Sequence, residues 1–187
     1  MRRVLAVIDV QRLFLASRTE YGPLARVDYV ALKKLFNPEN DPDVIVDAIA
    51  YVIVSPQHED YRFIRFLKKH SYKVMRQFAS IDQSSTVNDT GLKIVPKSWT
   101  GKMVKDLHSI VLENKYDEYF IVSGSGGFIS AVHAIQAQHK PVTVVSFRSS
   151  LHQKMAELAD VTVVLDNAVL YDENLYKKPE TEGEIDG

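Results

Sequence analysis

The strongest constraint on this chain is an alternation. Six short strand-like runs recur along it, at residues 4–8 (VLAVI), 44–54, 72–78, 118–122 (EYFIV), 141–147 and 161–165, and the first of them is apolar throughout. A strand with one face in water alternates apolar and polar residues. A run that is apolar throughout is buried on both faces, as parallel strands are when helices cover each side. The intervening segments carry the helical period. Residues 24–36 place Leu24, Val27, Val30, Ala31 and Leu35 on one face, and residues 99–114 place Trp99, Met103, Leu107, Ile110 and Val111 on another, with Ser98 positioned to cap that helix. Further helices are expected at 60–70, 128–138 and 151–158. Strands alternating with helices predict an α/β fold: three layers, α/β/α, around a mostly parallel sheet of about six strands.

A chain of 187 residues suffices for one such domain. We expect a single domain over 1–171, a long polar connection at 80–96, and an acidic, flexible tail at 172–187. No run of 18 apolar residues is present, so no membrane span is expected. The opening MRRVLAVIDVQ meets Asp9 too early for a signal-peptide core. The absence of cysteine excludes disulfides, thiolate zinc sites and thiol nucleophiles, and suits a reducing, cytoplasmic setting.

The net charge of −1 conceals an asymmetry: the tail carries −4, the body +3, and residues 62–105 alone hold ten Lys or Arg against two acids, Asp82 and Asp89. Such a block suits either a polyanion partner or a solvated helix face.

In parallel α/β sheets the working site lies beyond the carboxyl ends of the strands. Three segments should meet there: residues 9–12, 123–128 and 147–150, joined by the start of the Trp99 helix. Asp9, ending the first strand, fits a first metal or phosphate ligand, or a cap for a following helix. Ser123-Gly124-Ser125-Gly126-Gly127-Phe128 fits an anion-holding turn or a plain strand-to-helix turn; with Ile129 where a third glycine is required, it is not a dinucleotide fingerprint. Residues 96–103 mimic a P-loop but have Pro96 and Met103 at required positions. The six histidines form no metal-binding spacing, and no serine sits in a nucleophile elbow.

Four stretches resemble the NYN domain, a PIN-like ribonuclease fold, and in particular its LabA-like bacterial branch. VLAVIDVQRLF (4–14) is similar to its opening strand, Asp and Asn-Leu-Phe. AYVIVSPQHEDYRFIRFLKKHSYKV (50–74) is similar to its second strand, loop and helix. KSWTGKMVKDLHSIVLENKYDEYFIVSGSGGF (97–128) is similar to its Lys-Gly-x-Asp helix and Ser-Gly-Asp-Gly-Asp-Phe turn, and VTVVSFRSSLHQKMAELADVTVVLD (142–166) to its closing elements. The resemblance implies a PIN-like, Rossmann-like architecture. It also implies, for members that cleave RNA, carboxylates clustered around Mg²⁺ or Mn²⁺.

Here most of those carboxylates are replaced. Asp9 and the helical Asp106 remain, as vestiges. The family's Asn falls on Arg12, the acid opening the helix on Thr100, and the two acids of the turn on Ser125 and Gly127. Arg12 is expected to pair with Asp9, and Lys102 with Asp106 at i, i+4. The resemblance therefore implies a catalytically degenerate domain, with no catalytic residues, metal or cofactor, that binds single-stranded nucleic acid, RNA in the first place. Arg12, Lys97, Trp99, Lys102, Ser123, Ser125 and Arg148 are the candidate contacts. Trp99 fits a base platform, but better a core anchor at the head of its helix; Tyr72 and Phe78 read as core, and Tyr61 as a weaker platform. Two alternatives stand beside this: an active Mg²⁺- or Mn²⁺-dependent ribonuclease with Asp82 or Asp89 as ligands, and a protein-interaction module. A homodimer is expected by resemblance only.

Overall fold

The computed structural model describes residues 1–54, 61–78 and 97–171; at Tyr61, Phe78, Lys97 and Ser98 it describes the backbone without the side chain. The connection at 80–96 with Asp82 and Asp89, the tail, and the side chains of Tyr61, Phe78 and Lys97 therefore lie outside the described residues.

The six runs form six strands: β1 (Arg2–Asp9), β2 (Val44–Val54), β3 (Tyr72–Phe78), β4 (Glu118–Val122), β5 (Val142–Phe147) and β6 (Val161–Leu165). They make one sheet in the order β3-β2-β1-β4-β5-β6, and every neighbouring pair is parallel. The two-residue period of a strand splits the runs between two cores, except at β6, which gives Val163 and Leu165 to one core only. Val4, Ala6 and Ile8 face α1 (Val10–Tyr21), α2 (Tyr29–Lys34) and α3 (Tyr61–Lys69). Leu5 and Val7 face α4 (Lys97–Leu112), α5 (Ile129–Ala137) and α6 (Gln153–Leu158). This is the three-layer α/β/α architecture that the alternation predicts.

The first helical layer differs from expectation. The periodicity predicts a helix over 24–36; the observed α2 is shorter, because the Asp28 carboxylate accepts hydrogen bonds from the N–H groups of Val30 and Ala31 and starts the helix there. Upstream of it, Val27 is held instead by an antiparallel bridge to Leu170. A helix that the periodicity does not predict is α1, which Asp9 caps and which buries Val10, Leu13, Ala16 and Ser17. Helix α4 begins at Lys97, so Ser98 is a helical residue and not its cap.

Candidate nucleic-acid interface at the strand ends

β1 is the strand from which the order reverses, with β2 on one side and β4 on the other. The segments leaving the carboxyl ends of β1 and β4 turn to opposite faces of the sheet, the place where ligands bind in folds of this kind. Asp9 sits at this point. It is completely buried. One oxygen, Oδ1, accepts the backbone N–H of Arg12 at 3.1 Å, which caps α1; the other, Oδ2, accepts the Ser123 hydroxyl at 3.3 Å. The Arg12 Nε lies 3.7 Å from Oδ2 as an ion pair. Burial pushes the Asp9 carboxyl above the ordinary aspartate range; the Arg12 N–H, the Arg12 guanidinium and the Ser123 hydroxyl oppose that push without cancelling it.

The turn after β4 is built tightly against its neighbours. The Ser123 hydroxyl accepts the N–H of Ser125, and the Ser125 hydroxyl accepts the N–H of Gly127. Gly124 admits no side chain: an added Cβ would collide with the carbonyl oxygen of Ser150 and lie 2.6 Å from the Ser146 hydroxyl. Its own carbonyl accepts the N–H of His152 at 2.8 Å. Gly127 faces Thr100, whose methyl would stand 2.7 Å from a Cβ at 127. Two positions where the resemblance implies acids are thus packed against each other, one as a methyl group and the other with no side chain.

Asp106 is also engaged. Lys102 Nζ pairs with its Oδ2 at 2.9 Å, and the Tyr51 hydroxyl donates to the same oxygen at 3.1 Å. Tyr51 is next to Asp9 in the β1–β2 register, and each of the two remaining acids is tied to neighbouring groups. Burial and the Asp106 carboxylate both raise the Tyr51 hydroxyl, which stays a proton donor at neutral pH. Among the described residues no group of three or more His, Asp or Glu side chains comes together. The described residues fit a divalent cation poorly: each Asp9 oxygen accepts a hydrogen bond and a guanidinium stands 3.7 Å away.

Two candidate contacts need correction. Trp99 is completely buried, edge-on to Tyr51 with ring centroids 5.7 Å apart, and is a core anchor with no face for a base. Ser123 is buried, and its hydroxyl is spent on Asp9. Ser125 lies at the edge of burial and caps the turn. Arg12, Lys102 and Arg148 reach the surface, with Arg12 37 % and Lys102 42 % exposed at the side chain. Tyr72 is core, its hydroxyl donating to the Tyr29 carbonyl. Sequence reasoning misses Tyr51, which looks like any strand residue until the register sets it beside α4. It also misses His152, whose ring packs over Gly126 and whose Nδ1 accepts the N–H of Lys154 to cap α6.

The NYN domain model matches residues 3–166. The chain belongs to the NYN domain family, and its nuclease-like fold fits interaction with nucleic acid. Among solved structures it is similar to a protein of unknown function from Vibrio parahaemolyticus, with a TM-score of 0.72 and 24 % identity over 91 % of this chain and 96 % of that one. It also aligns with Acinetobacter baumannii MurG, with a TM-score of 0.44 and 13 % identity, over 87 % of this chain but 41 % of that one. No curated protein matches the sequence. No helix among the described residues is long and apolar enough to cross a membrane.

Proposed function

We propose that this NYN-domain protein, of the LabA-like kind, binds single-stranded RNA without cleaving it. The carrying observation is the state of Asp9: a buried carboxylate with both oxygens occupied and a guanidinium at 3.7 Å. Each oxygen already serves a protein group, and the Arg12 guanidinium stands where a cation would compensate the charge. With Arg12 half-buried and Arg148 exposed near the strand ends, and Lys102 on the first turns of α4, the same surface attracts phosphates. In this reading residues 1–171 are the binding domain.

The test is fluorescence anisotropy of labelled single-stranded RNA and matched DNA across a salt series, followed by incubation with Mn²⁺. Salt-sensitive binding, tighter for RNA and without cleavage products, is the expected outcome. Mn²⁺-dependent cleavage that disappears in Asp9→Asn would establish an active ribonuclease instead. No binding even at low salt would leave the protein-interaction reading.

A further inference from the structure

A second feature lies on the other flank of α1. Val10, Phe14 and Arg18 recur at i, i+4 on one side of that helix, and Arg12, two residues on from Val10, lies on the opposite side. Between this side of α1, the helix α3 and the end of β2 is a cavity of about 640 Å³. That is within the range of roughly 300–1,000 Å³ usual for small-molecule sites.

The lining has two chemistries. Phe14, Tyr29, Phe63, Phe66 and Tyr171 supply aromatic surface over a floor that includes Val52 and Val54. Arg18, Arg26 and Arg62 also line it, and among the described residues no Asp or Glu does. Among the described residues no carboxylate lies within ion-pair distance of any of the three. Arg18 is the most informative. Its guanidinium carbon stands 4.1 Å from the centroid of the Phe14 ring, a cation–π contact on the cavity wall. Its Nε is buried with no hydrogen-bond partner. A buried donor left without an acceptor is costly, and the guanidinium it belongs to can give charge-assisted hydrogen bonds to an anionic oxygen. An apolar wall also lowers the local dielectric, so the three cations act on an anion more strongly than in open water.

We infer that this cavity binds a nucleoside monophosphate unit, with the phosphate on Arg18, Arg26 and Arg62 and the base among the aromatic rings. A planar ring joined to a phosphate matches both halves of the lining, whereas an inorganic anion uses only the arginines and an aliphatic acid leaves the ring faces without a stacking partner. The unit has two sources, a free mononucleotide or the 5′-phosphorylated end of a strand. The inference stands apart from the strand-end reading, because its residues lie on the other flank of α1.

The test is a titration of the full chain with AMP and UMP, followed by calorimetry and by amide chemical shifts, with adenosine, inorganic phosphate and octanoate in parallel. Saturable nucleotide binding, at least tenfold tighter than either half-ligand, is expected. Arg18→Met keeps the stem over Phe14 and removes the guanidinium, and it should weaken the nucleotide about tenfold. Arg62→Met, on an exposed residue of α3, should weaken it in the same direction, which keeps the test open if Arg18→Met fails to fold. Lys154→Met, on the surface of α6, should change nothing. Competition of AMP by a 5′-phosphorylated oligonucleotide, and not by its 5′-hydroxyl form, assigns the strand end as the source; competition by neither assigns the free nucleotide. Absence of saturable AMP or UMP binding, binding indifferent to both arginine variants, or octanoate binding in place of nucleotide overturns the inference. A chain that binds AMP but no RNA would refute the strand-end reading alone.

Discussion

Asp9 concentrates the chemistry of the strand ends in one residue, and its environment makes a pH prediction. Its folded carboxyl titrates above the ordinary aspartate value of 3.8, chiefly because it is buried. Between that value and the raised one, the folded state holds a proton that the unfolded state has already released. Asp9 therefore lowers stability progressively as pH rises through this window, and its effect levels off above it. Thermal unfolding of the wild type and Asp9→Asn between pH 3 and 8 reads this directly. The stability of the wild type relative to the variant should fall as pH climbs from about 3.8 and then flatten; a difference that rises with pH would mean that the Arg12 ion pair outweighs burial. Gly127 gives a second prediction. A methyl at 127 would meet the Thr100 methyl at 2.7 Å, so Gly127→Ala should cost about 1–3 kcal/mol by overpacking. Thr100→Ser removes the opposing methyl, so the double variant should recover a large part of that loss in chemical denaturation. Additive losses would show that the two residues do not press on each other.

At the scale of elements, the helices are fixed by different forces, and substitutions should separate them. α4 is held by its apolar face: Trp99, Met103, Leu107 and Val111 recur along it and are all buried. Leu107→Ala should cost about 2–5 kcal/mol, whereas Lys105→Ala, on the exposed side, should stay within about 0.5 kcal/mol. α2 is short, and its start depends on one carboxylate, which takes two N–H groups from Val30 and Ala31. Asp28→Ala should cost about 1 kcal/mol, measured by urea unfolding. An unchanged midpoint would mean that the bridge between Val27 and Leu170 alone holds this segment. The helices also show why boundaries are harder to read than strands. The period over 24–36 is a genuine helical pattern, but capping by Asp28 and the bridge at Val27 override its first residues. α1 carries its own signal, with Asp9 ahead of Val10, Leu13 and Ala16, yet the carboxylate draws attention as a ligand before it is read as a cap.

For the whole molecule, charge distribution matters more than net charge. The chain is −1 in total, but residues 172–187 hold −4 and leave +3 on the rest. Such charges act over about a Debye length, roughly 10 Å at 0.1 M salt. If the strand-end surface binds RNA, truncation after Tyr171 should tighten binding at low salt and leave it nearly unchanged at high salt, measured by anisotropy. Arg12→Glu and Arg148→Glu should each weaken binding across sequences and reduce the salt slope by about 0.7 for each phosphate that is no longer neutralised. Equal affinity in both charge-reversal variants would place the RNA elsewhere on the protein.

The sequence by itself determined the sheet. Six short strand-forming runs, the central ones apolar on both faces, have nowhere to lie except between two helical layers, and the hydrophobic effect that buries them is local to each run. The i, i+4 pairing of Lys102 with Asp106 was equally legible, because helical spacing alone brings those side chains together. Only the tertiary structure decided what the site residues do. Ser123 lies 114 positions from Asp9 in the chain, and only the pairing of β1 with β4 gives its hydroxyl to that carboxylate. Trp99 is a core residue because it packs against Tyr51 from a distant strand. The arginine-lined cavity draws on residues from α1, β2, α3 and the end of the domain. Contacts between residues far apart in sequence have no period and no spacing, so they enter the chemistry only when the sheet has set its strand order.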